Sequence, residues 1–114
     1  MELTGNCRKA FEKWYIITYF NHLALPMSTQ ERFGILDSFD GCFEAMRYGV
    51  YVDFFDSLGT RIDLISVGEP TMSGFNFFGY RFLINGFKVN STYTNTRRKV
   101  RTKSIKEGNK LYNK

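Results

Sequence analysis

The chain has 114 residues, 43% hydrophobic and 24% charged, a composition that suits one folded domain with a core and excludes a disordered polyelectrolyte. Its formal charge of +5 is unevenly held: residues 97–114 carry eight Lys or Arg against one Glu, and residues 1–96 carry eight bases against ten acids. No run of eighteen apolar residues is present to cross a bilayer, and the first residues lack the basic-then-apolar pattern of a signal peptide, so the expectation is a cytoplasmic protein with no membrane contact.

Twelve Phe and seven Tyr imply a core or a partner surface built from rings. Cys7 and Cys42 are too few and too far apart for a zinc spacing or a disulfide framework, and reduced thiols are expected.

The spacing of Ala10, Phe11, Trp14 and Ile17 predicts a first helix over residues 7–22, capped by Asn6 and ended by Leu25-Pro26. Ser28-Thr29-Gln30-Glu31 is a capping box, and Phe33, Leu36, Phe39, Phe43 and Met46 follow it at three-four spacing. Gly34 and Gly41 each weaken that segment by about 1 kcal/mol. It therefore reads as two short helices parted near Asp37-Ser38, or one distorted helix, ending at Tyr48-Gly49.

From Gly49 the period changes to two. Val50, Val52 and Phe54 alternate with Tyr51, Asp53 and Phe55, and Asp56-Ser57-Leu58-Gly59 leads into Thr60 to Ile65, a pattern that predicts a β-hairpin. Its register sets Asp53 opposite Asp63 and puts Tyr51 and Phe55 on the same outward face. Residues 68–74 read as a loop, Phe78, Tyr80, Phe82 and Ile84 as a third strand, and Phe87-Lys88-Val89 as a short fourth strand after an Asn85-Gly86 turn. Asn95 or Thr96 caps a last helix with Val100, Ser104, Ile105, Gly108, Leu111 and Tyr112 inward. The fold expected is α+β, in the order α-α-β-β-β-α over residues 1–114. In it an antiparallel sheet of three or four strands carries the N-terminal helices and the basic C-terminal helix on one face.

Little points to catalysis. His22 is the one histidine and has no nucleophile or carboxylate at a catalytic spacing, and no phosphate-binding loop or zinc motif is present. The expectation is a protein that is not an enzyme and takes no cofactor and no metal. Opposed Asp53 and Asp63 require an offsetting charge, for which Arg61 or Arg81 is better suited than a divalent cation wanting six or more oxygens. Two surfaces remain. One is the sheet face with Tyr51, Asp53, Phe55 and Asp63, rings among charges, suited to a protein partner or a second copy of the chain. The other is the basic helix, where Arg97, Arg98, Arg101, Lys103, Lys106 and Lys110 suit the phosphates of a nucleic acid.

The order helix, three strands, helix resembles a double-stranded RNA-binding domain. Arg97-Arg98-Lys99-Val100-Arg101-Thr102-Lys103-Ser104-Ile105 fits that family's last helix in charge but lacks its alanines, and Asp56-Ser57-Leu58-Gly59 stands where the family has a Gly-Pro-x-His-type loop. This resemblance implies a nucleic-acid-binding module. A second resemblance covers most of the chain. Phe11-Glu12-Lys13-Trp14, Tyr48-Gly49-Val50-Tyr51-Val52-Asp53-Phe54-Phe55-Asp56-Ser57, and Thr96-Arg97, Arg101, Ile105-Lys106, Asn109 and Tyr112-Asn113 are similar to a group of small proteins encoded by phages and mobile elements of anaerobic gut bacteria. Alanine is usual in that group where this chain has Val100, Ser104 and Gly108. The similarity implies origin and architecture and no mechanism. Together with the two surfaces it leads to the expectation of a non-enzymatic binding protein of phage or prophage type in the cytoplasm of a bacterial host, engaging a protein partner, with nucleic-acid binding as the alternative.

Overall fold

A computed structural model describes residues 1–20, 27–88 and 94–114. Helix α1 (Gly5–Phe20) buries Cys7, Phe11 and Tyr15, one residue per turn along a single stripe. Phe11 is the hub. Its ring lies 5.2 Å from Phe39 of α2 (Thr29–Asp40), 5.0 Å from Tyr51 and 5.4 Å from Phe54 of α3 (Glu44–Ser57), the last two edge to face. Burying each such ring contributes on the order of 2 kcal/mol, and tilted contacts add to that. Ile17, expected inward, is 63% exposed, and Trp14 is half-buried.

The start of α1 is held from afar. Asn113 Oδ1 accepts from the Cys7 amide at 2.9 Å, and Asn109 Oδ1 accepts from the Thr4 amide at 2.8 Å. The Asn113 side-chain amide donates back to the Thr4 carbonyl at 2.8 Å. These contacts replace the expected Asn6 cap and pin the first helix to the last. Both cysteines are free thiols, Cys7 fully buried.

α2 begins as its sequence predicts. Ser28 Oγ accepts from the Glu31 amide, the capping half of the box, and Glu31 Oε1 reaches back to accept from the Ser28 hydroxyl rather than from its backbone amide, each at 3.1 Å. The break comes at Gly41–Phe43, later than Asp37-Ser38. The larger correction follows it. Residues 50–55 are the middle of α3 and not a strand, since Tyr51, Phe54 and Phe55 are the residues buried, and three-four spacing brings all three to one helical face. The hairpin expected between residues 50–55 and 60–65, with Asp53 opposite Asp63, does not form.

The hairpin present is longer and begins further on. β1 (Ile62–Thr71) pairs antiparallel with β2 (Gly74–Ile84) from Ile62 opposite Ile84 to Thr71 opposite Gly74, so the expected loop at 68–74 is mostly strand around a Met72-Ser73 turn. Pro70 is tolerated there because β1 is an edge strand. Asn85 and Gly86, with φ of 53° and 85°, make the predicted tight turn into the two-residue β3 (Phe87–Lys88), which completes a sheet of order β1-β2-β3. Thr94 extends the β2 edge, exchanging two backbone hydrogen bonds with Tyr80 at 2.8 and 2.9 Å. The last helix, α4, spans Arg97–Tyr112.

The fold is α+β with an antiparallel sheet, as expected, but in the order α-α-α-β-β-β-α. The core joins Ile62, Phe82 and Ile84 of the sheet to Phe55 of α3 and to Val100 and Ile105 of α4. The molecule measures 60 × 29 × 19 Å, and the exposed far half of the β1–β2 hairpin forms an arm. Leu25-Pro26, His22 and Val89 lie outside the described residues.

Candidate nucleic-acid interface

α4 starts at Thr96, whose Oγ1 accepts from the Lys99 amide at 3.2 Å. Its buried residues, Val100, Ser104, Ile105 and Gly108, fall three and four apart on the inward face. Gly108 sets the closeness of approach to α3, because a Cβ there would stand 2.9 Å from Cζ of Phe55.

The outer charges divide into two groups by what they touch. Arg101 donates from Nε to Glu44 Oε1 at 3.0 Å and from its terminal nitrogen to Oε2 at 2.7 Å, a two-pronged pair in a mostly buried position that ties α4 to the first turn of α3. The guanidinium of Arg101 also stands over the Tyr48 ring at 6.0 Å, and that of Arg97 over Tyr80 at 5.8 Å. Lys99, Lys103, Lys106 and Lys110 are exposed and succeed one another by four, three and four positions, which places them in one stripe opposite Ser104 and Gly108. At 1.5 Å per residue the stripe is roughly 16 Å long. Among the described residues none of these four lysines forms an ion pair.

That arrangement is unfavourable for the helix by itself. Like charges one turn apart cost a few tenths of a kcal/mol per pair, and Arg97, Arg98 and Lys99 in the first turn oppose the helix dipole. A bound polyanion relieves both. Beside this first turn is a pocket of about 250 Å³ whose walls include Tyr48, Ser66, Tyr80, Arg97 and Arg101. Burial raises the Tyr48 hydroxyl above the usual phenol range and leaves it a neutral donor at physiological pH.

Of the residues singled out from sequence on this helix, Arg97, Arg98, Lys103, Lys106 and Lys110 are exposed, whereas Arg101 is committed to Glu44. Lys99 belongs with them and was missed, although counting back four from Lys103 finds it. The other expected surface is overturned. Tyr51 and Phe55 are 0% and 1% exposed because they belong to the core face of α3, and Asp53 lies on the outside of that helix. Asp63 is on β1 with Arg61 Nε at 2.6 Å, so the offsetting arginine is present while the opposed aspartate is not.

Exposed rings lie elsewhere, singly at Phe33, Phe43 and Phe87 and grouped on the arm. Phe75, Phe77 and Phe78 on the arm are 57%, 46% and 43% exposed, and Met72 at its turn is wholly exposed. The apolar density of residues 72–84 was the available signal. Among the described residues no cluster of His, Cys, Asp and Glu suits a metal ion, and no helix is long and apolar enough to cross a membrane. No protein-family model, curated protein or solved structure matches the chain.

Proposed function

We propose that this protein is a non-enzymatic binder of nucleic acid, acting through the outer face of α4 in a phage or mobile-element setting. The observation that carries the reading is the stripe of Lys99, Lys103, Lys106 and Lys110, free of ion pairs among the described residues and flanked by exposed Arg98. The setting rests on the resemblance of the sequence alone.

A stripe of roughly 16 Å spans about five phosphates of one strand along a duplex. Four neutralised phosphates correspond to a slope of about −3.6 in log K against log salt, so raising salt fourfold weakens binding by about 150-fold. The test is an anisotropy titration with labelled duplex DNA and RNA at 50 and 200 mM salt. The variant K99Q/K103Q/K106Q/K110Q should flatten the slope by about 3 to 4, leaving only what Arg97 and Arg98 contribute. No binding by the unaltered protein at the lower salt removes the reading.

A further inference from the structure

The arm is more than an exposed hairpin, because a single irregularity decides which residues share its face. Up to Val67 the strands pair as Leu64 with Phe82, Ser66 with Tyr80 and Val67 with Gly79, but the next pair is Gly68 with Phe77, followed by Glu69 with Asn76 and Pro70 with Phe75. Phe78 is therefore the extra residue of a bulge, and the alternation of β2 changes parity beyond it. Without the bulge, the face that carries Tyr80 and Phe82 would continue with Phe78 and Asn76. With it, that face continues from the core outward as Tyr80, Phe77 and Phe75.

The strand opposite presents only Ser66, Gly68 and Pro70 to these three rings. Phe75 has settled against Gly68, its Cζ and Cε1 atoms 2.7 and 2.8 Å from where a Cβ on that glycine would be. Phe77 meets Tyr80 at 5.0 Å between centroids. The rings thus rest on small neighbours, and much of their surface faces solvent. This face bears no carboxylate, since Glu69 is the one acid between Leu64 and Tyr80 and pairs with Asn76 on the other side. Its first charge is the Arg97 guanidinium over Tyr80, with Arg98 and Lys99 in the same helical turn.

The occupant this surface fits has exposed planar rings, spaced along a chain that carries negative charge at every unit. We propose that the arm is a base-stacking platform on which Phe75 and Phe77 receive unpaired bases of single-stranded nucleic acid while the backbone phosphates pass to Arg97 and Arg98. Bases within a duplex are already stacked and cannot reach the rings, whereas stacking on aromatic side chains is how single strands are held without sequence preference. The inference rests on phosphate binding by α4 and adds to it a preference for single strands.

The experiment compares a labelled single strand and a duplex of the same sequence at 50 mM salt, using the unaltered protein, F75A/F77A and K99Q/K103Q/K106Q/K110Q. Loss of stacking predicts that F75A/F77A binds the single strand at least about tenfold more weakly while its duplex affinity stays within about twofold. The lysine variant should lose affinity for both. Because Phe75 is on the surface, Phe75→Trp supplies a second readout, and its added fluorescence should be quenched by the single strand and left unchanged by the duplex. Unchanged single-strand affinity in F75A/F77A, or equal loss on both probes, overturns the platform while leaving phosphate binding in place, and would turn the arm toward a protein partner. Absence of binding to either probe by the unaltered protein overturns both readings.

Discussion

Replacing Gly108 by alanine tests whether α4 lies as close to α3 as described, with Gly49→Ala as its control. Both glycines are interior to helices, where alanine is favoured by about 1 kcal/mol. At Gly49 a Cβ meets nothing within 4 Å among the described residues, so the full propensity gain should appear. At Gly108 it would stand 2.9, 3.1 and 3.2 Å from Cζ, Cε2 and Cε1 of Phe55. An ordinary carbon contact is about 3.5–4.0 Å, so the helix or the ring must retreat by roughly 0.6 Å or more. Phe55 has little room to do so, being 1% exposed and 5.2 Å from Phe54 between ring centroids. Overpacking of this kind costs about 1–3 kcal/mol, which cancels or exceeds the gain. The two variants should therefore differ by about 1–3 kcal/mol, Gly49→Ala above the unaltered protein and Gly108→Ala level with it or below. Urea unfolding followed by Trp14 fluorescence resolves this, since a slope of about 1–3 kcal/mol per molar turns the difference into a clear midpoint separation. Equal stabilisation by the two substitutions would refute the close approach, and with it the placement of the lysine stripe opposite a buried Gly108.

Arg101→Ala should destabilise the fold by roughly 2–3 kcal/mol, because it strands Glu44 in a mostly buried position, yet leave the salt slope of binding by the folded protein unchanged; a flatter slope would place Arg101 among the phosphate contacts. The Tyr51 hydroxyl is buried with no hydrogen-bond partner among the described residues, so Tyr51→Phe should be neutral or stabilising by up to about 1 kcal/mol in the same urea assay, and a loss larger than that would reveal a bonded hydroxyl. Burial pushes the Cys7 thiol up to about 11, and at pH 8 a thiol reagent should label Cys42 in the native protein and reach Cys7 only on unfolding. Since the unfolded thiol ionises near its ordinary value while the folded one resists, this group's contribution to stability is intact below about pH 9 and declines as pH rises toward 11; a thermal midpoint that climbs over that interval in the unaltered protein relative to a Cys7→Ala variant contradicts it.

What the sequence displays without help is local. The Ser28 cap, the Thr96 cap and the Asn85-Gly86 turn each depend on residues within four positions, and each is formed. Residues 48–55 carry two periods at once: Val50, Val52 and Phe54 alternate, while Tyr48, Tyr51, Phe54 and Phe55 fall three and four apart. Their β-branched and aromatic types favour a strand, and the helix prevails because Tyr51 and Phe54 are needed against Phe11, a partner forty positions away that no local pattern names. The arm was hidden for a similar reason, because Gly68, Pro70 and Gly74 look like punctuation until pairing shows the rings that lie across from them. On the basic helix the excess of charge was plain. Its division into Arg97 and Arg101, which touch the body, and the lysines, which form no ion pair with it among the described residues, required the positions of Glu44, Tyr48 and Tyr80.

The latch between Thr4, Cys7, Asn109 and Asn113 sets an order of events during synthesis. α1 leaves the ribosome without these terminal hydrogen bonds, and the side chains that supply them are made 105 and 106 residues later. α1 can pack Phe11 against α2 and α3 as those arrive, but its opening turn stays frayed until α4 is seated. Closing so long a loop is slow, which makes the docking of α4 the step that completes the start of α1 and the end of α4 together. The helix that presents the lysines is thereby seated only where the start of α1 is already in place to receive it.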